Sequence, residues 1–385
     1  MSHESYFPPE TGATPKGGGS KPTATVRKRR RISLFLTICA GAAIAVLALL
    51  PSPYVIEQPG PVHNTLGVTE VDGKSVPVIS VTGAETYKVT GQLNLLTVSL
   101  VGNPEATPNW VSVALTWFDP AKRVMPLEAF FPDTVTTEQR SEENRVLMAN
   151  SQQTAIAAAL NEQQIPFITR LTVGSVSSEG PSEGVLEVGD TITAVNGESV
   201  STITRLRELL AQNGTEVPAT ISIVRDGVPQ DALVTPTTLE TDTGEKTVVA
   251  GIGVVDEYDF PVDIEMHLEN VGGPSAGMMF ALGIIAKMTP QNLPAGKNIS
   301  GTGTITSDGT VGSIGGARQK LFAANEAGST IFLLPRQNCA DLGDGLPEGT
   351  EIFAVETLSD SMNVLNTLNR GEDTGSLPRC PANVE

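Results

Sequence analysis

The chain is poor in the residues on which metal and redox chemistry depend. Its 385 residues hold three cysteines and three histidines. No Cys-x-x-Cys pair, His-Glu-x-x-His run or clustered His/Cys set occurs, so neither a metal nor another cofactor is expected. No Gly-x-x-x-x-Gly-Lys-Ser/Thr phosphate loop occurs, which excludes the usual nucleotide-hydrolysing module from these residues and makes ATP an unexpected partner. Basic residues are scarce: Lys and Arg number 25 against 43 Asp and Glu, for a net charge of -18. Residues 1–50 carry seven Lys/Arg and two Asp/Glu, a net of +5, which leaves -23 on the remainder. A body this acidic does not bind nucleic acid by neutralising phosphates.

What the chain does have is one long apolar run. Arg27-Lys28-Arg29-Arg30-Arg31 precedes ISLFLTICAGAAIAVLALL, residues 32–50. As a helix this run spans about 28 Å, close to one bilayer core. The basic cluster before it predicts a cytoplasmic N-terminus and an extracytoplasmic body at the cell membrane. A cleaved signal peptide fits less well, because the leader is long and no small-x-small site precedes Pro51. Residues 1–31 read as a disordered basic tail, 32–50 as a transmembrane helix and 51–64, rich in proline, as a linker. Cys339 and Cys380 both fall in the outer part, where a disulfide survives, but the sequence does not show whether they pair.

Between residues 78 and 118, QLNLLTVSL and WVSVALTWF read as strands. Residues 138–163 lack Gly and Pro. Val146, Met148, Ala149, Ala155, Ile156, Ala159 and Leu160 recur at three and four, which predicts an amphipathic helix starting near Thr136 or Thr137. Further on, Leu186, Gly189, Asp190, Ile192, Asn196 and Gly197 form L-x-x-G-D-x-I-x-x-x-N-G, with Asn-Gly suited to a tight hairpin. A helix at 202–212 and a hairpin at 219–236 follow. This stretch resembles a bacterial PDZ domain, although no G-L-G-F-type loop is legible around Ile165–Thr169. Such a module would capture peptides, or serve only as a spacer or lid. In the last part, strands are predicted at 262–268, around 298–311 and at 330–335. Helices are predicted at 274–288, 317–328 and 359–370, and the tail after Gly371 reads as loose.

Gly273-Pro274-Ser275-Ala276-Gly277 is a G-x-S-x-G pattern, the mark of a nucleophilic serine on a turn. A serine needs a base. No histidine follows Ser275, which argues against the Ser–acid–His order of α/β-hydrolases. His267 remains a formal base for an esterase-like Ser–His pair. Lysine is the other choice, provided burial keeps it neutral. Lys287 lies about 18 Å along the same predicted helix, too far to act. Lys297 sits in a solvated loop. Lys320, just after Gly315-Gly316 in the first turn of an apolar helix, is best placed.

GGPSAG together with VGSIGGARQKL resembles the catalytic core of Lon-type Ser–Lys proteases. The resemblance implies Ser275 as nucleophile and Lys320 as base, with Thr302 matching a threonine beside the lysine. Thr304 and Gly272 depart from the residues usual in that family. Gly273, Pro274 and Ala276 are expected to position the serine at a helix N-terminus, where backbone N–H groups hold an oxyanion. VLMANSQQTAIAAAL resembles the helix that opens the same proteolytic domain. The expected fold is therefore α+β, with one transmembrane helix, a β-rich PDZ domain at 161–244 and a Lon-type domain split into 65–160 and 245–370, followed by a tail at 371–385. As a whole the chain resembles the YlbL-like group of anchored PDZ–Lon proteins. That implies an ATP-independent serine endopeptidase acting on extracytoplasmic proteins or peptides, assembled as a homo-oligomer, with a hexameric ring by analogy. The competing expectation is a non-catalytic PDZ scaffold or adaptor at the outer face of the membrane.

Overall fold

The structure, a computed structural model, describes residues 24–71, 73–132, 136–240, 246–268 and 271–380. Residues 1–23 of the expected disordered tail lie outside them. Helix α1 (Ala24–Leu49) begins before the apolar run and takes in the basic cluster, so the helix does not start at Ile32 as expected. Arg and Lys are good helix formers and need no partner in such a position. Ile32–Leu49 is long and apolar enough to cross a membrane, and none of it is buried by the rest of the protein.

The expected linker at 51–64 is instead an eleven-residue strand, Tyr54–Asn64, inside the main sheet. Its prolines mislead because they fall at an irregularity: the register against the Gln92–Val101 strand shifts between Pro59 and Val62. Proline is tolerated at such bulges because no ladder N–H is needed there. Gly60 at this point allows close approach, since a Cβ would stand 2.5 Å from Thr97 Oγ1. The main sheet runs in the order Glu351–Val355, Ile331–Pro335, Asn298–Gly301, Gln92–Val101, Tyr54–Asn64, Arg123–Pro126. The first four are parallel to their neighbours, and the last two join antiparallel.

WVSVALTWF is not a strand. Helix α2 (Trp110–Thr116) is capped by the Asn109 side chain, which accepts from Ser112 N, and buries Val113 and Thr116 three residues apart. The cap decides between two readings of one short apolar run. Helix α3 (Thr137–Glu162) opens with a capping box made by Thr136 and Gln139. Its Ala155, Ile156, Ala159 and Leu160 share one buried cluster with Leu93, Leu95, Met279, Phe280, Ile285, Ile299 and Phe353. Residues on both sides of the PDZ stretch thus build a single core. Helix α5 (Gly277–Met288) is buried on all sides from Gly277 to Ala286, as a helix apolar all round must be. It packs with α3 on one face of the sheet. Helix α6 (Ala317–Glu326) covers the other face, where Ala317, Leu321 and Ala324 meet Leu96, Phe332 and Leu334.

The PDZ stretch has its own core around Leu171, Ile192, Leu206, Leu210, Ile221 and Val234, with α4 (Ile203–Asn213) lying on it. Asn196 and Gly197 take positive φ, as the hairpin turn requires. Asp190 of the L-x-x-G-D pattern is 1 % exposed and accepts two hydrogen bonds of 2.7 Å from Arg225. The guanidinium holds this carboxyl below the usual range, a buried charge met by a matching fork. The sheet order is Val228–Val234, Ala219–Arg225, Thr191–Val195, Ile168–Val176, Ile252–Asp259. The last strand lies beyond the expected boundary at 244.

Helix α7 (Leu358–Arg370) closes the fold. The tail after it is pinned rather than loose. Cys339 and Cys380 are disulfide-bonded, Ala354 N donates to Pro378 O, and Leu377 is buried.

Candidate active site

Ser275 sits on the turn that enters α5. The helix starts at Gly277 with Ala276 as its N-cap residue, so Pro274 precedes the helix instead of opening it. Gly273 has φ +82°, a conformation that side chains resist, and its N–H donates to Asn144 O at 3.1 Å. Ser151 Oγ of α3 donates to Pro274 O at 3.0 Å. A Cβ on Gly277 would stand 2.9 Å from both Ser151 Oγ and Ile305 Cγ2, so only glycine lets α5 start this close to α3. Gly303 N and Thr302 Oγ1 both donate to Ser275 O, at 2.9 and 3.0 Å. The serine backbone is therefore fixed from two sides. Gly277 N and Met278 N are already bonded, to Pro274 O and Gly303 O. Among the described residues Ser275 N and Ala276 N have no such acceptor, which leaves them to face an oxyanion.

Lys320, in the first turn of α6, reaches across from the opposite side of the sheet. Its Nζ donates to Ser275 Oγ at 2.8 Å and to Thr302 Oγ1 at 3.1 Å. Lys320 is 2 % exposed and Thr302 1 %. Burial pushes the lysine pKa down to about 8, opposed by the charge of Glu57. Desolvation disfavours the ammonium form, so a neutral amine becomes available near neutral pH. Ser275, Lys320, Thr302 and the 273–276 turn are thus brought together. The other lysines are not: Lys287 Nζ donates to Ile79 O, and Lys297 is exposed. His267 lies beside Glu265, at 3.6 Å, and is absent from the lining of the Ser275 cavity.

That cavity, of about 250 Å³, is lined by Leu96, Val98, Met148, Val271, Ala276 and His63, with Ser275 and Lys320 in its wall. A larger groove of about 1010 Å³ continues from it past Val98, Met148 and Val271 to Phe130, Phe131, Arg140 and Arg145. Two residues here escaped sequence reasoning, Glu57 and His63, because both lie in the stretch read as a linker. Glu57 is 5 % exposed, and a Cβ on Gly316, the N-cap of α6, would stand 2.8 Å from its Oε1. Burial raises the Glu57 pKa, while Arg123 and Lys320 act to lower it. Burial pulls the His63 pKa below its usual value. The only sequence signal was the alternation of the strand, hidden by Pro59 and Pro61.

Comparison with known proteins agrees with this geometry. Residues 256–368, which include both Ser275 and Lys320, match the model of the Lon protease (S16) C-terminal proteolytic domain. Residues 172–222 match a PDZ domain model. The chain therefore carries a Lon-type serine-peptidase domain together with a PDZ domain. Among curated proteins, the Lon protease of Clostridioides difficile (strain 630) is 38 % identical over 108 residues, 26 % of this chain and 13 % of that protein. Lon protease 2 of Herpetosiphon aurantiacus is 34 % identical over 121 residues, 29 % of this chain and 14 % of that protein. The chain thus spans only a small part of the length of these relatives. Among solved structures, the PDZ domain of an SdrC-like protein from Listeria monocytogenes is 22 % identical, covering 22 % of this chain and 86 % of that one, with a TM-score of 0.20.

Proposed function

We propose that the chain is a membrane-anchored serine endopeptidase that works without ATP, with Ser275 as nucleophile and Lys320 as base. The observation that carries this is the 2.8 Å contact between Lys320 Nζ and Ser275 Oγ in a site where the lysine is 2 % exposed. Neutral Lys320 takes the Ser275 proton as Oγ attacks a peptide carbonyl. Thr302 holds the amine and the serine carbonyl in one frame. Ser275 N and Ala276 N receive the developing oxyanion. The resulting ammonium then gives its proton to the leaving amine, and water repeats the cycle on the acyl-enzyme. The apolar cavity next to Ser275 favours a medium-sized apolar side chain before the scissile bond.

The disulfide and the anchor helix favour an extracytoplasmic site of action. The shared core of residues 78–160 and 264–365 favours a proteolytic domain interrupted by the PDZ module. In that module the Ile252–Asp259 strand forms one edge of the sheet and follows Gly251-Ile252-Gly253-Val254. An extended peptide would add along this edge, downstream of the place where the sequence was searched for such a loop. Because the same strand leads into the Ser275 segment, peptide capture and the site share one stretch of chain. A ring of six copies is the assembly that analogy suggests.

The test is cleavage of casein by the full chain in detergent micelles without nucleotide, beside Ser275→Ala and Lys320→Ala, all checked for folding by circular dichroism. Cutting by the unmodified chain alone supports the dyad. No cutting by any of them, at any protein concentration and with peptide added, favours a scaffold. Cutting by Lys320→Ala refutes the assigned base.

A further inference from the structure

Helix α2 turns its apolar stripe the wrong way for a soluble protein. Trp110, Ala114, Trp117 and Phe118 are spaced i, i+4, i+7 and i+8, and Trp117 continues the helical conformation at φ -64°, ψ -17°. That spacing places them on one side of the helix. The side is open: Trp110 is 37 % exposed, Trp117 77 % and Phe118 85 %, with Leu115 beside them at 64 %. The inward side buries only Val113 and Thr116. Aromatic side chains this large are rarely left in water together without a partner.

The chain path says what the partner is. Residues 50–53 alone separate α1 from the Tyr54–Asn64 strand. Within that link Ser52 N and Oγ both donate to Pro108 O, and Pro51 bridges to Asn109, the cap of α2. The Tyr54 ring meets Trp110 edge-on at 5.8 Å. Helix α1 itself touches α2. The start of α2 is therefore clamped where the apolar run leaves its hydrocarbon. Tryptophan and tyrosine collect at that depth because one end of each ring is apolar and the other polar. Exposed Lys122 and Arg123 follow the stripe and suit anionic headgroups.

We propose that α2 lies in the lipid–water interface of the membrane that α1 crosses, with Leu115, Trp117 and Phe118 dipping into the acyl boundary. The inference rests on the anchor reading above. It makes α2 a second attachment that fixes the tilt of the proteolytic domain over the bilayer, which a single helix on a short link would leave free.

Trp110 and Trp117 are the two tryptophans of the chain, so its tryptophan emission reports α2 alone. The full chain and a Trp110→Phe variant are reconstituted in phosphatidylcholine–phosphatidylglycerol vesicles with or without lipid brominated near the headgroup, and flotation is measured on the same samples. The expected result is flotation, a loss of Trp117 emission in the brominated vesicles and a blue shift against the detergent-free denatured chain. Flotation with equal emission in both vesicles overturns the interface placement while leaving the anchor intact. If acrylamide in the water also fails to quench that emission, a protein partner covers the stripe instead. Failure to float overturns the anchor and this placement with it.

Discussion

Glu57 and Lys320 are both buried and act on one another: the carboxylate strengthens the hold of the lysine on its proton, and the ammonium favours the ionised carboxylate. Lys320 needs burial to become a base, yet an ionised Glu57 limits how far its pKa falls. We predict that kcat/KM for a soluble peptide rises through an apparent pKa of about 8, the value set by burial of Lys320. In Glu57→Gln the opposing charge is gone, so the lysine pKa drops and the acid limb moves to lower pH. A limb that stays in place, or moves up, would show that Glu57 does not act on the base.

The dyad itself predicts a split by chemistry. Ser275→Ala and Lys320→Ala should each lose at least about 10³-fold in kcat, since removing one member of such a unit removes most of its effect. Lys320→Arg should fail equally, because a guanidinium is never a neutral base. Thr302→Val removes the donor to Ser275 O and the acceptor of Lys320 Nζ, and should lower kcat by about 10–100-fold with little change in KM. Steady-state kinetics on one peptide decide all four, and a Thr302→Val enzyme with unchanged kcat would sink the positioning role.

Burying the lysine costs stability. Its folded pKa of about 8 lies below the ordinary lysine value of 10.5. The folded state therefore binds fewer protons than the unfolded state between those limits, and stability rises with pH across that window. Lys320→Met places an apolar chain in the same space. It should raise Tm at pH 7, where the wild-type ammonium is buried, and this advantage should shrink towards pH 10. Thermal unfolding by circular dichroism at both pH values is the check; an advantage that does not shrink with pH speaks against the assigned shift.

The Cys339–Cys380 bond closes a loop of 41 residues. Chain entropy makes such a link worth about 3–4 kcal/mol. Cys380→Ser should lower stability to that order and release residues 374–380 from the Glu351–Val355 strand. Ser275 and Lys320 are held by other elements, so activity at low temperature should persist. Denaturant midpoints and hydrogen exchange at Ala354, whose N–H bonds Pro378 O, measure this.

Several features of this protein are written locally. The apolar run, the capped α3, the Asn-Gly hairpin, the serine turn and the glycine pair before Lys320 each depend on neighbours a few residues apart, and periodicity and residue type reveal them. Even there local information fails where two readings tie. WVSVALTWF became a helix because Asn109 caps it, and YVIEQPGPVHN became a strand because its prolines fall on a bulge. Sequence alone named Ser275 and Lys320 but left the disulfide open and missed Glu57 and His63. Those were decided by pairing at long range. Tyr54–Asn64 enters the sheet between Gln92–Val101 and Arg123–Pro126, and only that register sets Glu57 against Gly316 and His63 into the serine cavity. The burial that lowers the Lys320 pKa likewise belongs to no single segment, because a group is desolvated only by what the whole fold packs around it.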